Sequence, residues 1–67
     1  MELSARNQLR GKVTSVKLGT IMAEVVVDVS GQEVVSAITR SSVERLGIRE
    51  GDEVTVVIKA TEVMLAK

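Results

Sequence analysis

Ser4, Arg6, Asn7, Gln8 and Arg10 fall within one eight-residue stretch, SARNQLRG, that contains no carboxylate. A hydroxyl, two amides and two guanidinium groups at this density offer hydrogen-bond donors and positive charge to an anion. Further along, Thr39 and Ser42 stand where an extended segment gives way to a short helix, and Lys59 lies near the end of the last long apolar segment. Hydroxyls donate, Arg and Lys supply charge-assisted bonds, and a helix N-terminus presents unpaired backbone N–H groups. Taken together these are the parts of an oxyanion site. Taken singly each has a local reading: Ser41 or Ser42 caps the helix, Lys59 is solvated, and Arg6 belongs to a frayed terminus.

Other chemistries fare worse. Gly11-Lys12 suggests the end of a phosphate-binding loop, but that motif needs a Gly five residues earlier and a Ser or Thr after the Lys. Arg6 and Val13 occupy those positions. With no His and no Cys in the chain, the common nucleophile and base pairings are missing, as are zinc sites built from thiolates and imidazoles. Glu24 and Asp28 read as solvated strand residues, and Glu50, Asp52 and Glu53 as residues around a turn. The chain does not read as an enzyme.

The elements that must position these donors follow from the alternation of apolar residues. Leu9–Leu18 is rich in β-formers and Gly19 closes it. In Thr20–Val29, Ile21, Ala23, Val25, Val27 and Val29 share one face, while Met22, Glu24, Val26 and Asp28 share the other. Ser30–Gln32 forms a Gly-centred turn and Glu33–Thr39 resumes the extended pattern, predicting a hairpin. Ser41 with Glu44 matches a capping box for a short helix, with Val43 and Leu46 as its apolar side and Gly47 as its end. Gly51-Asp52 turns the chain into Glu53–Ala60, and TEVMLAK, residues 61–67, forms a short fifth strand. Four or five strands with one helix before the last long strand predict an all-β fold, a small OB-like Greek-key barrel.

Sixty-seven residues make one small domain, and domains of this size bury only about 60% of their unfolded surface. Yet 45% of the residues are apolar, with neither aromatics nor disulfides to consolidate a core. Self-association is the remaining remedy, and Met22, Val26 and Val57, on outer strand faces, are candidates for an intersubunit surface. A net charge of zero and the lack of Phe, Tyr and Trp argue against nucleic-acid binding, which uses basic excess or stacking platforms. No apolar run approaches the ~20 residues of a membrane span, and no secretory signal opens the chain, so a cytoplasmic location is expected.

The segments SARNQLRGKV (4–13), AEVVVDVSG (23–31), AITRSSVERLGIREGDEV (37–54) and IKATEVMLA (58–66) resemble the molbindin family. These are the small molybdate-binding proteins also called molybdenum-pterin-binding proteins or Mop domains. The resemblance spans nearly the whole chain, and its most specific part is the SARNQL start combined with IKAT-x-VM-L near the end. It implies a single domain over 1–67 with an OB-like fold, binding molybdate and often tungstate, in a storage or buffering role. It also implies hexamers, trimers of dimers, with anion sites between subunits. On the matching motifs it assigns molybdate contacts to Ser4, Arg6, Thr39, Ser42 and Lys59 and, through its main chain, Ala60.

This assignment bears on the missing carboxylate. Molybdate carries no proton at neutral pH, so all its oxygens accept, whereas hydrogen phosphate gains from an acceptor in the site. A donor-only site therefore favours molybdate, tungstate or sulfate over phosphate. Two other readings stand beside it. One is an interaction module that docks to a partner through the surplus apolar surface. The other is binding of a molybdopterin-type cofactor, which the lack of aromatic stacking partners disfavours.

Overall fold

The computed structural model describes residues 2–67. Four strands, β1 (Asn7–Leu18), β2 (Met22–Val29), β3 (Gln32–Thr39) and β4 (Glu53–Ile58), form one antiparallel sheet in the order β3-β2-β1-β4. Three hairpin-linked strands followed by a fourth that returns beside the first is the Greek-key order. A single helix, α1 (Arg40–Leu46), makes the return connection, and a 3-10 turn (Ala60–Glu62) follows β4.

The strand patterns explain the pairing. In β2, Ala23, Val25 and Val27 point inward and are buried, with Val13 and Val43 completing the core. Val16, Val29, Ile38, Ile48, Val54 and Val56 pack around them half-buried. Strict alternation would put Val13 and Val16 on opposite faces. The ladder solves this with a bulge: Val13 pairs with Val27 and Ser15 with Val26, so Thr14 is the extra residue and both valines face the core. Gly11 meets a different demand. A Cβ there would lie 2.6 Å from the Asp28 carbonyl oxygen and 2.6 Å from Val27 Cγ1, so only glycine lets β1 pass this close to β2.

The β2–β3 hairpin turns on Ser30 and Gly31, both with positive φ (50° and 88°), the two-residue type I′ geometry that matches strand twist. The helix starts earlier than the capping-box reading expects. Thr39, not Ser41, is the N-cap: its extended backbone leads into α1 and its Oγ1 accepts from the Ser42 N–H at 3.1 Å. The Arg40 N–H is held by the Ile21 carbonyl oxygen at 2.8 Å, which anchors the first turn to the sheet and leaves Ser41 and Glu44 inside the helix. Gly47 ends it in the left-handed conformation, as expected, with φ 64°.

Three further expectations are corrected. Ile21 precedes the β2 ladder and is 71% exposed rather than inward. Leu46 comes at the end of a helix of seven residues, too short to turn both apolar side chains onto the sheet, so only Val43 is buried. Residues 61–67 form no fifth strand, because the 3-10 turn after Lys59 leads the chain off the sheet before a ladder can form.

Candidate oxyanion site

The β1–β4 register builds the first half of the site. The ladder runs from Lys12↔Glu53 to Asn7↔Ile58. Beyond the last ladder pair, Asn7↔Ile58, both chains leave the sheet, and Ser4, Ala5 and Arg6 come together with Lys59, Ala60 and Thr61. These six residues line one surface cleft of about 250 Å³. The Gln8 side-chain amide donates to the Ala5 carbonyl oxygen at 2.6 Å, fixing the approach of the N-terminal segment. Two cations lining one cleft repel each other. Among the described residues, no hydrogen bond or ion pair joins the side chain of Arg6 or Lys59 to another group. No carboxylate lines the cleft.

The hydroxyls expected to join them lie elsewhere. Thr39 is at the far end of β3, paired with Met22 beside the Leu18↔Ala23 end of the β1–β2 ladder. The two groups thus stand at opposite ends of β1, a strand of twelve residues rising roughly 3.3 Å per residue. Thr39 lines a second cleft, about 240 Å³, with Thr20, Ile21, Arg40, Ser41 and Glu44. Its Oγ1 lies 2.8 Å from Ser42 Oγ and 3.2 Å from Ser41 Oγ. Arg40 Nε is 3.6 Å from Glu44 Oε2, and Arg40 also donates to the Gly19 carbonyl oxygen at 3.5 Å.

Of the residues expected from the sequence, then, Ser4, Arg6, Lys59 and Ala60 are brought together, and Thr39 and Ser42 form a separate pair. One tetrahedral anion cannot touch both groups of one chain. No carboxylate lines the first cleft, whereas Glu44 lines the second. Arg10, the other cation of the opening stretch, is engaged with Glu53 at 2.7 Å on the surface. Thr61, Ala5, Thr20 and Arg40 were not singled out in the sequence. Thr61 becomes visible only in the folded chain, where the 3-10 turn after β4 puts it in the same cleft as Ser4. Among the described residues no cluster of His, Cys, Asp or Glu can hold a metal ion, and no helix is long and apolar enough to cross a membrane.

Comparison with known proteins agrees with this architecture. Residues 3–65 match the TOBE domain family. Molybdenum-pterin-binding protein 3 of Clostridium pasteurianum is 53% identical over 66 residues, spanning 97% of both chains. The solved structure of a molybdate-binding protein from Sporomusa ovata superposes with a TM-score of 0.95 at 45% identity, covering all of both chains. That of the cytoplasmic molybdate-binding protein ModG superposes with a TM-score of 0.84 at 39% identity, over 90% of this chain and 43% of ModG. With a Greek-key barrel, a cationic cleft where the chain ends meet and full-length relatives at this identity, the chain belongs to the molybdenum-pterin-binding (Mop, or molbindin) family of TOBE domains.

Proposed function

We propose that this protein binds molybdate, with tungstate as an alternative ligand, as a single-domain cytoplasmic store or buffer without catalytic activity. The observation that carries the reading is that Arg6 and Lys59 line one cleft, just beyond the end of the β1–β4 ladder, in which no carboxylate takes part. A tetrahedral dianion neutralises both cations and accepts from the Ser4 hydroxyl and from main-chain N–H groups around Ala60. Its remaining oxygens accept from Thr39 and Ser42 of a second subunit, since the two half-sites of one chain lie at opposite ends of β1. Sites of this kind imply a homo-oligomer, and a hexamer built as a trimer of dimers is the assembly we favour. The names of the relatives, which bind molybdate or a molybdenum-pterin, support the ligand class. Between these, the bare oxyanion fits better, because a flat pterin ring finds no aromatic side chain here to stack on.

Calorimetric titration with molybdate, with sulfate and phosphate as competitors and the oligomeric mass measured by light scattering, tests this. Saturable binding that resists excess phosphate is expected. Absence of heat, together with no shift of thermal unfolding by molybdate, rejects it, since a ligand of the native state must stabilise it.

A further inference from the structure

Of the residues that line the cleft beside α1, Arg40 and Glu44 carry charge. Both contacts of the Arg40 guanidinium are long. Its Nε stands 3.6 Å from Glu44 Oε2, and its Nη1 3.5 Å from the Gly19 carbonyl oxygen. A charge-assisted N–H···O bond closes to roughly 2.7–2.9 Å, as the Arg10–Glu53 pair does at 2.7 Å. The Arg40 donors are therefore largely unspent. Nor does Arg40 stand where it would serve the helix. It is the first residue of α1, where a cation opposes the helix dipole, and Arg four residues before Glu is the weaker order of such a pair. Its root is nonetheless fixed, because its backbone N–H donates to the Ile21 carbonyl oxygen at 2.8 Å. The side chain is 42% exposed, against 70% for Arg10, so water and salt screen its charge less.

We propose that Arg40 is a further cation of the anion site, held loosely by Glu44 while no anion is bound and turned onto the anion when it binds. This rests on the between-subunit reading above, in which Thr39 and Ser42 of one subunit meet the anion that Arg6 and Lys59 of another hold. An oxyanion seated on those two hydroxyls falls within reach of a long side chain rooted between them. A dianion carries twice the charge of a carboxylate, so it outcompetes Glu44 for the guanidinium. Glu44 works against the ligand in two ways: its charge repels the anion, and its hold on Arg40 has to be broken. Both costs are small, since an exposed pair four residues apart on a helix is weak.

The test uses the fact that Arg40→Gln and Glu44→Gln break the same ion pair. A pair that only braced the helix would move both variants in one direction, whereas the proposal requires opposite signs. Titration calorimetry on the full chain should show Arg40→Gln weakening molybdate binding about tenfold, the loss of one charge-assisted bond. Glu44→Gln should strengthen it about twofold, the size of the pair that no longer has to be broken. Arg40→Lys, which keeps the charge, should recover part of the loss. Melting curves of the free variants should stay close to that of the unaltered protein, because the contacts removed are long. An Arg40→Gln protein that binds as tightly as the unaltered one, or a Glu44→Gln protein that binds no more tightly, overturns the proposal and leaves the molybdate reading intact. An unaltered protein that binds no molybdate overturns both.

Discussion

One cleft is lined by Arg6 and Lys59 with no carboxylate among its lining residues. In the cleft beside α1, the hydroxyls of Thr39, Ser41 and Ser42 contact one another and Arg40 lies beside Glu44. Both are polar and of similar size, yet only the second is satisfied by its own chain. In the proposed function, the cations of the first are free to meet a ligand. The second caps a helix, so its donors serve stability first and an anion second. Binding strength should therefore be concentrated in one half-site, and the cost of mutation to the fold in the other.

The largest effect is expected at the cations. Arg6→Ala or Lys59→Ala should weaken molybdate binding about 100-fold, since a bond to a charged group contributes roughly 1.5–3 kcal/mol. Thermal unfolding of the free protein should not move, and titration calorimetry beside a melting curve shows both. Affinity retained in the two variants sinks the first cleft as the site.

Thr39→Ala should divide its effect. Loss of the N-cap costs about 1 kcal/mol of stability, read from chemical denaturation of the free protein. Loss of one neutral donor should weaken binding by about fivefold. A stability loss without any change in affinity would assign the hydroxyl to the fold alone.

A smaller and more pointed test is Lys59→Glu. It replaces one of the two cations lining the cleft with an anion, which relieves their repulsion and should leave the free protein at least as stable while abolishing anion binding. A destabilised free protein would mean that Arg6 and Lys59 do not repel each other across the cleft.

The smallest effect belongs to Arg10→Ala. Its ion pair with Glu53 is 2.7 Å long, but the side chains are 70% and 75% exposed, and surface pairs contribute under about 1 kcal/mol. Molybdate affinity should stay at the starting value, separating Arg10 from the neighbouring Arg6.

How far the sequence alone discloses this structure depends on the range of the interaction. Local rules recover the β2–β3 hairpin, whose Ser30-Gly31 turn and alternating valines carry their own geometry, and the Gly47 helix end. The same rules place the N-cap at Ser41 rather than Thr39, because the choice is made by a distant contact, the Arg40 N–H to Ile21. The Thr14 bulge is equally hidden, since Val13 and Val16 share a face only once β2 is beside them. For the site, residue types point to donors for an oxyanion, and the resemblance to molbindins picks out which. That Arg6 and Lys59 share a cleft follows from where the β1–β4 ladder ends. That Thr39 and Ser42 stand apart follows from the length of β1. Neither is a property of local sequence.

The central claim is that one site is assembled from two half-sites on different chains. Mixing subunits tests it most directly. Arg6→Ala/Lys59→Ala and Thr39→Ala/Ser42→Ala proteins, each expected to bind more weakly than the unaltered protein, are unfolded together, refolded as mixed oligomers and titrated with molybdate. Random mixing pairs an intact first cleft with an intact second one in about a quarter of the interfaces, so binding at near wild-type affinity should return with that stoichiometry. Mixed oligomers verified by native mass spectrometry that bind no more tightly than either parent variant would contradict the account.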